Sequence, residues 1–278
     1  MLSVRPIFKR HGLEVSDVAC RHERGAGTPE GTEGHTVAFV RRGCFVRSVA
    51  GVDELLDPSS VFFVNPGEEQ RYDHPHAGGD DCTAFLIQPE LLASLWGGDP
   101  TLPLASLDSS PQLDLEHRLL LAGALRGDDP DELGERAILL LTSTLERRDR
   151  ARTQSGLPAT THSRRQLVDS AKEALAADAN QSLPALARAL AVSPHHLSRM
   201  FRSATGHTIS RHRMRLRARA ALERLSAGER NLARLAADLD FADQSHLCRV
   251  IRSETGSTPS ALREALRPTT PEADLLAG

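Results

Sequence analysis

The chain has 278 residues, 40% hydrophobic and 26% charged, which allows two ordinary domains with buried cores. No apolar run approaches the roughly 20 residues that span a bilayer, and the start "MLSVRPIFKRHG" lacks a signal-peptide core, so no membrane partner and a cytoplasmic location are expected. The net charge of −3 hides an asymmetry: residues 1–159 hold 16 Lys+Arg against 25 Asp+Glu, net −9, and residues 160–267 hold 18 against 10, net +8, so one half is suited to a polyanion.

Four cysteines (Cys20, Cys44, Cys82, Cys248) without a CxxC pair read as reduced thiols rather than a disulfide framework. From about residue 35 to 90 the chain reads as short strands. "HTVAFVRRGCFVRSV", "SSVFFVNPG" and "CTAFLIQP" are rich in Val and Phe and are punctuated by Asp57-Pro58, Asn65-Pro66-Gly67 and Gly78-Gly79. Short strands at this spacing indicate a small β-sandwich or barrel. Within "NPGEEQRYDHPHAGGDDCT", His74, His76, Asp80, Asp81 and Cys82 have metal-ligand chemistry, and His35 and Cys44 lie on nearby strands. No tight ligand spacing accompanies them, and an ordinary polar loop has the same composition. No metal is assigned; were one bound, His74, His76 and Cys82 are the candidates.

From Asp114 the apolar period becomes helical. "LDLEHRLLLAGALRG" and "PDELGERAILLLTSTLERRDRA", broken at Asp128-Asp129-Pro130, predict an antiparallel helix pair over 114–152. Its leucine-rich faces, with Leu119, Leu120, Ile138, Leu139 and Leu141, need burial against the protein's own barrel or a second copy. "TQSGLPATTHS" reads as a linker.

The remainder, to Arg267, reads as helix and contains an internal repeat. "SLPALARALAVSPHHLSRMFRSATGHT" lies over "NLARLAADLDFADQSHLCRVIRSETGST" with offsets of 49 and then 50 residues. Each unit is helix, tight turn, helix. In the first, Ser182 and Ser193 are N-cap candidates, Pro184 and Pro194 follow them, and Gly206 is placed to stop the second helix. This is the helix-turn-helix plan, whose second helix enters the major groove. Leu197, Met200 and Phe201 anchor that helix from behind. His195, His196, Ser198, Arg199 and Arg202 form its polar face, and Gln244, Ser245, His246, Arg249 and Arg252 are the equivalents in the second unit. Arg reads guanine with two hydrogen bonds, and Arg202 and Arg252, further along, suit phosphate. The Arg-rich segment from about Ile209 to Ser226 is helical in pattern. At 1.5 Å per residue it spans roughly 27 Å, near the ~34 Å between successive major grooves. One such unit alone also occurs in proteins that never touch DNA; two units, a basic helix between them and an acidic companion half favour DNA.

Over Gln166 to Arg267 the chain resembles the AraC/XylS family of bacterial transcription regulators. The matching stretches are "LPALARALAVSPHHLSRMFRSATGHT", "RLRARAALERL" and "LAADLDFADQSHLCRVIRSETGSTPSALR". It departs from the family with Asp240-Phe241 in place of Gly-Phe, and with Leu247, Ile251 and Leu262 where aromatics are usual. The resemblance implies an N-terminal domain, often a cupin-like barrel, that senses an effector and dimerises. The expected fold is therefore α+β in two domains: a cupin-like β-barrel with a helix pair, then an all-α domain with two helix-turn-helix motifs. The expected boundaries are a sensor and dimerisation domain over 1–152 (barrel about 10–110, helix pair 114–152), a linker over 153–163, the DNA-binding domain over 164–267 and a flexible tail over 268–278. The expected function is a sequence-specific DNA-binding transcriptional regulator, activator or repressor, without catalytic activity. Its partners would be double-stranded DNA, a second copy in a homodimer and RNA polymerase. A small-molecule effector is expected and no cofactor. The rivals are a metal- or thiol-responsive regulator, the latter through Cys248 beside Arg249, and a metal-dependent cupin enzyme fused to a DNA-binding domain.

Overall fold

The computed structural model describes residues 2–21, 25–26, 31–32, 34–74, 79–96, 101–103, 106–154, 161–178 and 181–267. Ten strands come first: β1 (Leu2–Arg10), β2 (Leu13–Cys20), β3 (Gly25–Ala26), β4 (His35–Arg42), β5 (Phe45–Val49), β6 (Val52–Leu56), β7 (Ser60–Val64), β8 (Gln70–His74), β9 (Asp80–Ile87) and β10 (Leu107–Asp108), with helix α1 (Pro89–Trp96) between the last two. Two-residue hairpins join β1 to β2 and β5 to β6. Their central residues, His11-Gly12 and Ala50-Gly51, all have positive φ, the twist that matches right-handed strands. β1 and β2 lie before the region that reads as strands from sequence. β1 is largely exposed and contains Pro6, so its alternation is weak.

The ladders form two antiparallel sheets, in the orders β1-β2-β9-β4-β7-β10 and β3-β8-β5-β6. Among the described residues no pairing joins one to the other, so the sheets stay open and the expected cupin-like barrel is not closed by hydrogen bonds. A shared core lies between them instead, with Ala38, Val40, Phe62, Val64 and Cys82 from the larger sheet meeting Phe45 and Leu56 from the smaller. Phe45 packs edge-on against Phe62 and Tyr72 at 6.0 and 5.8 Å between centroids. Arg47 of β5, fully buried, crosses the core. It donates to the Phe63 carbonyl at 2.7 Å and to Glu54 at 3.2 Å, which satisfies a charge that would otherwise be costly to bury.

The helix pair forms as α2 (Pro111–Arg126) and α3 (Pro130–Gln154). Ser110 caps the first, Gly127 ends it at φ 74°, and Asp129 accepts from the Asp131 and Glu132 amides at the start of the second. Then follow α4 (Thr161–Ala177), α5 (Leu183–Ala189), α6 (Pro194–Thr205), α7 (Ile209–Ser226), α8 (Leu232–Asp238), α9 (Gln244–Thr255) and α10 (Pro259–Ala265).

Two compact units emerge, and neither is a single stretch of chain: Met1–Ser109 with Leu145–Gly206, and Ser110–Thr144 with His207–Gly278. In the first unit α4 lies against β6, and Lys172 pairs with Asp108 at 3.5 Å. In the second, Leu115 and Ala122 of α2 share a core with Ala218, Leu222, Leu235, Leu247, Ile251 and Leu262. The leucine-rich face of α2, which by sequence needs a barrel or a second copy, thus packs on α7 and α9. Leu120 and Leu141 are fully buried within the chain, whereas Leu139 is 66% exposed.

Candidate nucleic-acid interface

Each helix-turn-helix is built by local chemistry that is easily traced. In the first unit Ser182 accepts from the Ala185 amide and starts α5. The helix stops through a Schellman arrangement: the Val192 amide donates to the Ala187 carbonyl at 3.0 Å and the Ala191 amide to Arg188 at 3.1 Å. This closure needs a left-handed residue, and Ala191 supplies it at φ 53°. Ser193 then accepts from the His196 amide, Pro194 opens α6, and Gly206 closes it at φ 76°.

The second unit repeats the pattern 49 to 50 residues on. Phe241 donates to Ala236 at 2.9 Å, Asp240 sits at φ 54°, Asp243 accepts from the His246 amide, and Gly256 ends α9 at φ 75°. Asp240 tolerates the left-handed conformation better than most residues do. The Asp240 carbonyl also accepts from Arg217 at 2.7 Å, which ties the turn to α7.

Both second helices divide into an apolar back and a polar front. α6 buries Leu197, Met200 and Phe201 and packs on α4 and α5. It leaves His195, Arg199 and Arg202 exposed, with His196 and Ser198 half-buried. α9 buries Leu247 and Ile251 and leaves Gln244, Ser245, Arg249 and Arg252 exposed. His246 is half-buried and turned back: its Nδ1 accepts from the Ala242 amide at 3.3 Å, and its ring meets Phe241 edge-on at 5.5 Å. Cys248, on the same helix, is half-buried.

The arginines of α7 are deployed differently from those of α6 and α9. Arg215 and Arg219 are buried, Arg217 holds the Asp240 carbonyl, and Arg211 pairs with Glu254 at 3.2 Å. Arg219 lies 3.6 Å from Asp114 of α2, which also pairs with Arg118 at 3.1 Å. Burial alone would raise the Asp114 pKa. Arg118, Arg219 and His117 outweigh it and hold the carboxyl below its ordinary value. Part of the +8 charge of this half is therefore spent on folding. Sequence alone missed the Asp114–Arg219 pair, because its partners lie about 100 residues apart.

Of the N-terminal candidates, His74 is buried with Nε2 2.6 Å from Asp80 Oδ1, and the Cys82 thiol donates to Asp80 Oδ2 at 3.3 Å. His76 lies outside the described residues. His35, on β4, is buried apart from this cluster, and burial with the Asp57 carboxylate pushes the Cys44 thiol up to about 12. Asp81 faces the other way and pairs with Arg21 at 2.7 Å.

A pair of capped helix-turn-helices, each presenting a polar helix backed by a core, is the architecture of DNA-binding regulators. Residues 186–265 match the helix-turn-helix domain family. Among curated proteins none matches the chain. Among solved structures, an apo ToxT variant from Vibrio cholerae is 11% identical, covering 92% of this chain and 98% of its own at a TM-score of 0.44. The C-terminal domain of AraT, a response regulator from Geobacillus stearothermophilus, is 23% identical over 35% of this chain and 84% of its own, TM-score 0.33. KdgF from Halomonas is 17% identical over 32% and 82%, TM-score 0.28. At these scores none of the three likenesses bears on function. Among the described residues no helix is long and apolar enough to cross a membrane.

Proposed function

We propose that the protein is a cytoplasmic, sequence-specific DNA-binding transcriptional regulator without catalytic activity, its N-terminal half sensing an effector and controlling DNA binding or dimerisation. In sequence terms the sensor occupies 1–152, a linker 153–163 and the DNA-binding domain 164–267; the expected tail, 268–278, lies outside the described residues. The sandwich is the cupin-like element of the sensor, and its effector is a small molecule. The observation that carries the reading is the duplicated exposed face: Arg199 and Arg202 in α6 recur as Arg249 and Arg252 in α9, at matched distances from matched caps. His195, Ser198, Arg199, Gln244, Ser245 and Arg249 sit in the first turns that meet base edges, and Arg202 and Arg252 lie where phosphate runs. His196 completes the polar face of α6, while its counterpart His246 is turned back on its own turn. Leu139, exposed on α3, is the candidate anchor of a homodimer, and RNA polymerase is the downstream partner.

The test is selection of a preferred site from random duplexes, followed by binding to that site and to random DNA. Arg199→Ala or Arg249→Ala is expected to cost about 1–3 kcal/mol on the selected site and little on random DNA. Equal loss on both removes the base-reading role.

A further inference from the structure

We infer that Cys20, His74 and Asp80 form a binding site for one zinc-class divalent cation inside the N-terminal sandwich, with Cys82 positioning the carboxylate. One ligand atom from each of the three lies within 4.8 Å of the other two. In a tetrahedral site with ligand bonds of about 2.0–2.3 Å, neighbouring ligand atoms stand roughly 3.3–3.8 Å apart. Closing on a cation therefore needs shifts of about 1 Å, within the reach of side-chain torsions. The donor set is one thiolate, one imidazole and one carboxylate. That mixture suits zinc and gives a hard cation such as magnesium only one good ligand.

The backbone brings these residues together for reasons the register makes plain. Cys20 of β2 stands directly opposite Asp80 of β9, and Cys82 is two residues along β9, so all three share one face of the larger sheet. His74 ends β8 in the smaller sheet and reaches across, with the Phe45 ring 6.0 Å from its own. Gly79 is part of the construction. At φ 68° it would place a Cβ only 1.8 Å from the Cys20 carbonyl oxygen, so a residue with no side chain is needed for β2 to lie this close. All four side chains are buried, between 4 and 8% exposed. The Asp80 carboxylate is engaged on both oxygens, by His74 and by Cys82, and the thiol is therefore the group that orients it. The site stands independently of DNA binding, since its occupancy is read without DNA.

The reduced full-length protein is titrated with cobalt(II) as a spectroscopic stand-in, and zinc is then added in competition. One equivalent of cobalt is expected to produce a thiolate-to-metal charge-transfer band that zinc abolishes. Cys20→Ser should remove the band. Asp80→Asn and His74→Gln should weaken binding at least about 10-fold, and Cys82→Ser should keep the band while weakening binding about 10-fold. Cys44→Ser should change nothing. X-ray absorption at the zinc edge of the unmutated protein needs no variant, and a shell of one sulfur with nitrogen and oxygen is expected. No band at stoichiometric cobalt, a band that survives Cys20→Ser, or a zinc shell without sulfur overturns the site; a hydrogen-bonded cluster with no metal role gives the first of these.

Discussion

Two residues carry the same conformation in the two halves of the repeat and neither is glycine. Ala191 and Asp240 both sit near φ 54°, where an L side chain is strained. The Schellman closures on either side leave the chain no alternative. Replacing Ala191 with Gly removes the steric cost, about 1–2 kcal/mol, and adds back about 0.5–1 in backbone entropy. Urea unfolding should thus show Ala191→Gly more stable by a few tenths to about 1 kcal/mol. Ala204→Gly, exposed in the last turn of α6, should instead be less stable, by up to about 0.8–1 kcal/mol. The same sign at both positions would mean that the turn is not strained. Asp240→Gly should gain less, because aspartate already tolerates this region.

Among the elements, α2 and α7 meet through buried charge. Asp114 is 6% exposed and faces Arg118 and Arg219, the latter 4% exposed. Removing one member of such a network leaves the others uncompensated, which costs about 3 kcal/mol or more. Asp114→Asn, nearly the same size, should be destabilised by roughly that amount at neutral pH. The pH dependence has a definite sign. The folded pKa of Asp114 is depressed, so its stabilisation is complete above the unfolded value of about 3.9 and is lost as pH falls through the folded pKa. Denaturation curves of the two proteins should therefore begin to approach one another below about pH 4 and meet only below the folded pKa; an offset that did not shrink over that range would mean that the charge is not what Asp114 contributes.

For the molecule as a whole, the exposed cations of α6 and α9 predict DNA binding that weakens steeply with salt, because each phosphate neutralised releases counterions. A flat titration between about 50 and 200 mM salt would rule out phosphate engagement. On the proposed function, in which α6 and α9 both read DNA, the preferred site should contain two half-sites about 10–10.5 base pairs apart. Inserting about 5 base pairs between them turns one half-site to the opposite side of the duplex and should cut affinity sharply. Undiminished binding would leave only one of the helices as a reader.

How much of this was legible depends on the range of the forces involved. Caps, stops and apolar periodicity act over a few residues, so α5, α6, α8 and α9, their turns and the duplicated polar face could be read directly from "SPHHLSRMFRSATG" and "ADQSHLCRVIRSETG". The helix pair was legible for the same reason, through Asp128-Asp129-Pro130 and the leucine spacing. The exposed edge strand β1 was not, since it buries too little to alternate. What a face packs against is a long-range question. The α2 leucines found α7 and α9, two of the six α7 arginines turned inward, and Cys20 came to stand beside His74 and Asp80. Those outcomes depend on sheet register and on which buried charges can be paired, and both are settled only when residues 50 to 100 positions apart compete for the same space.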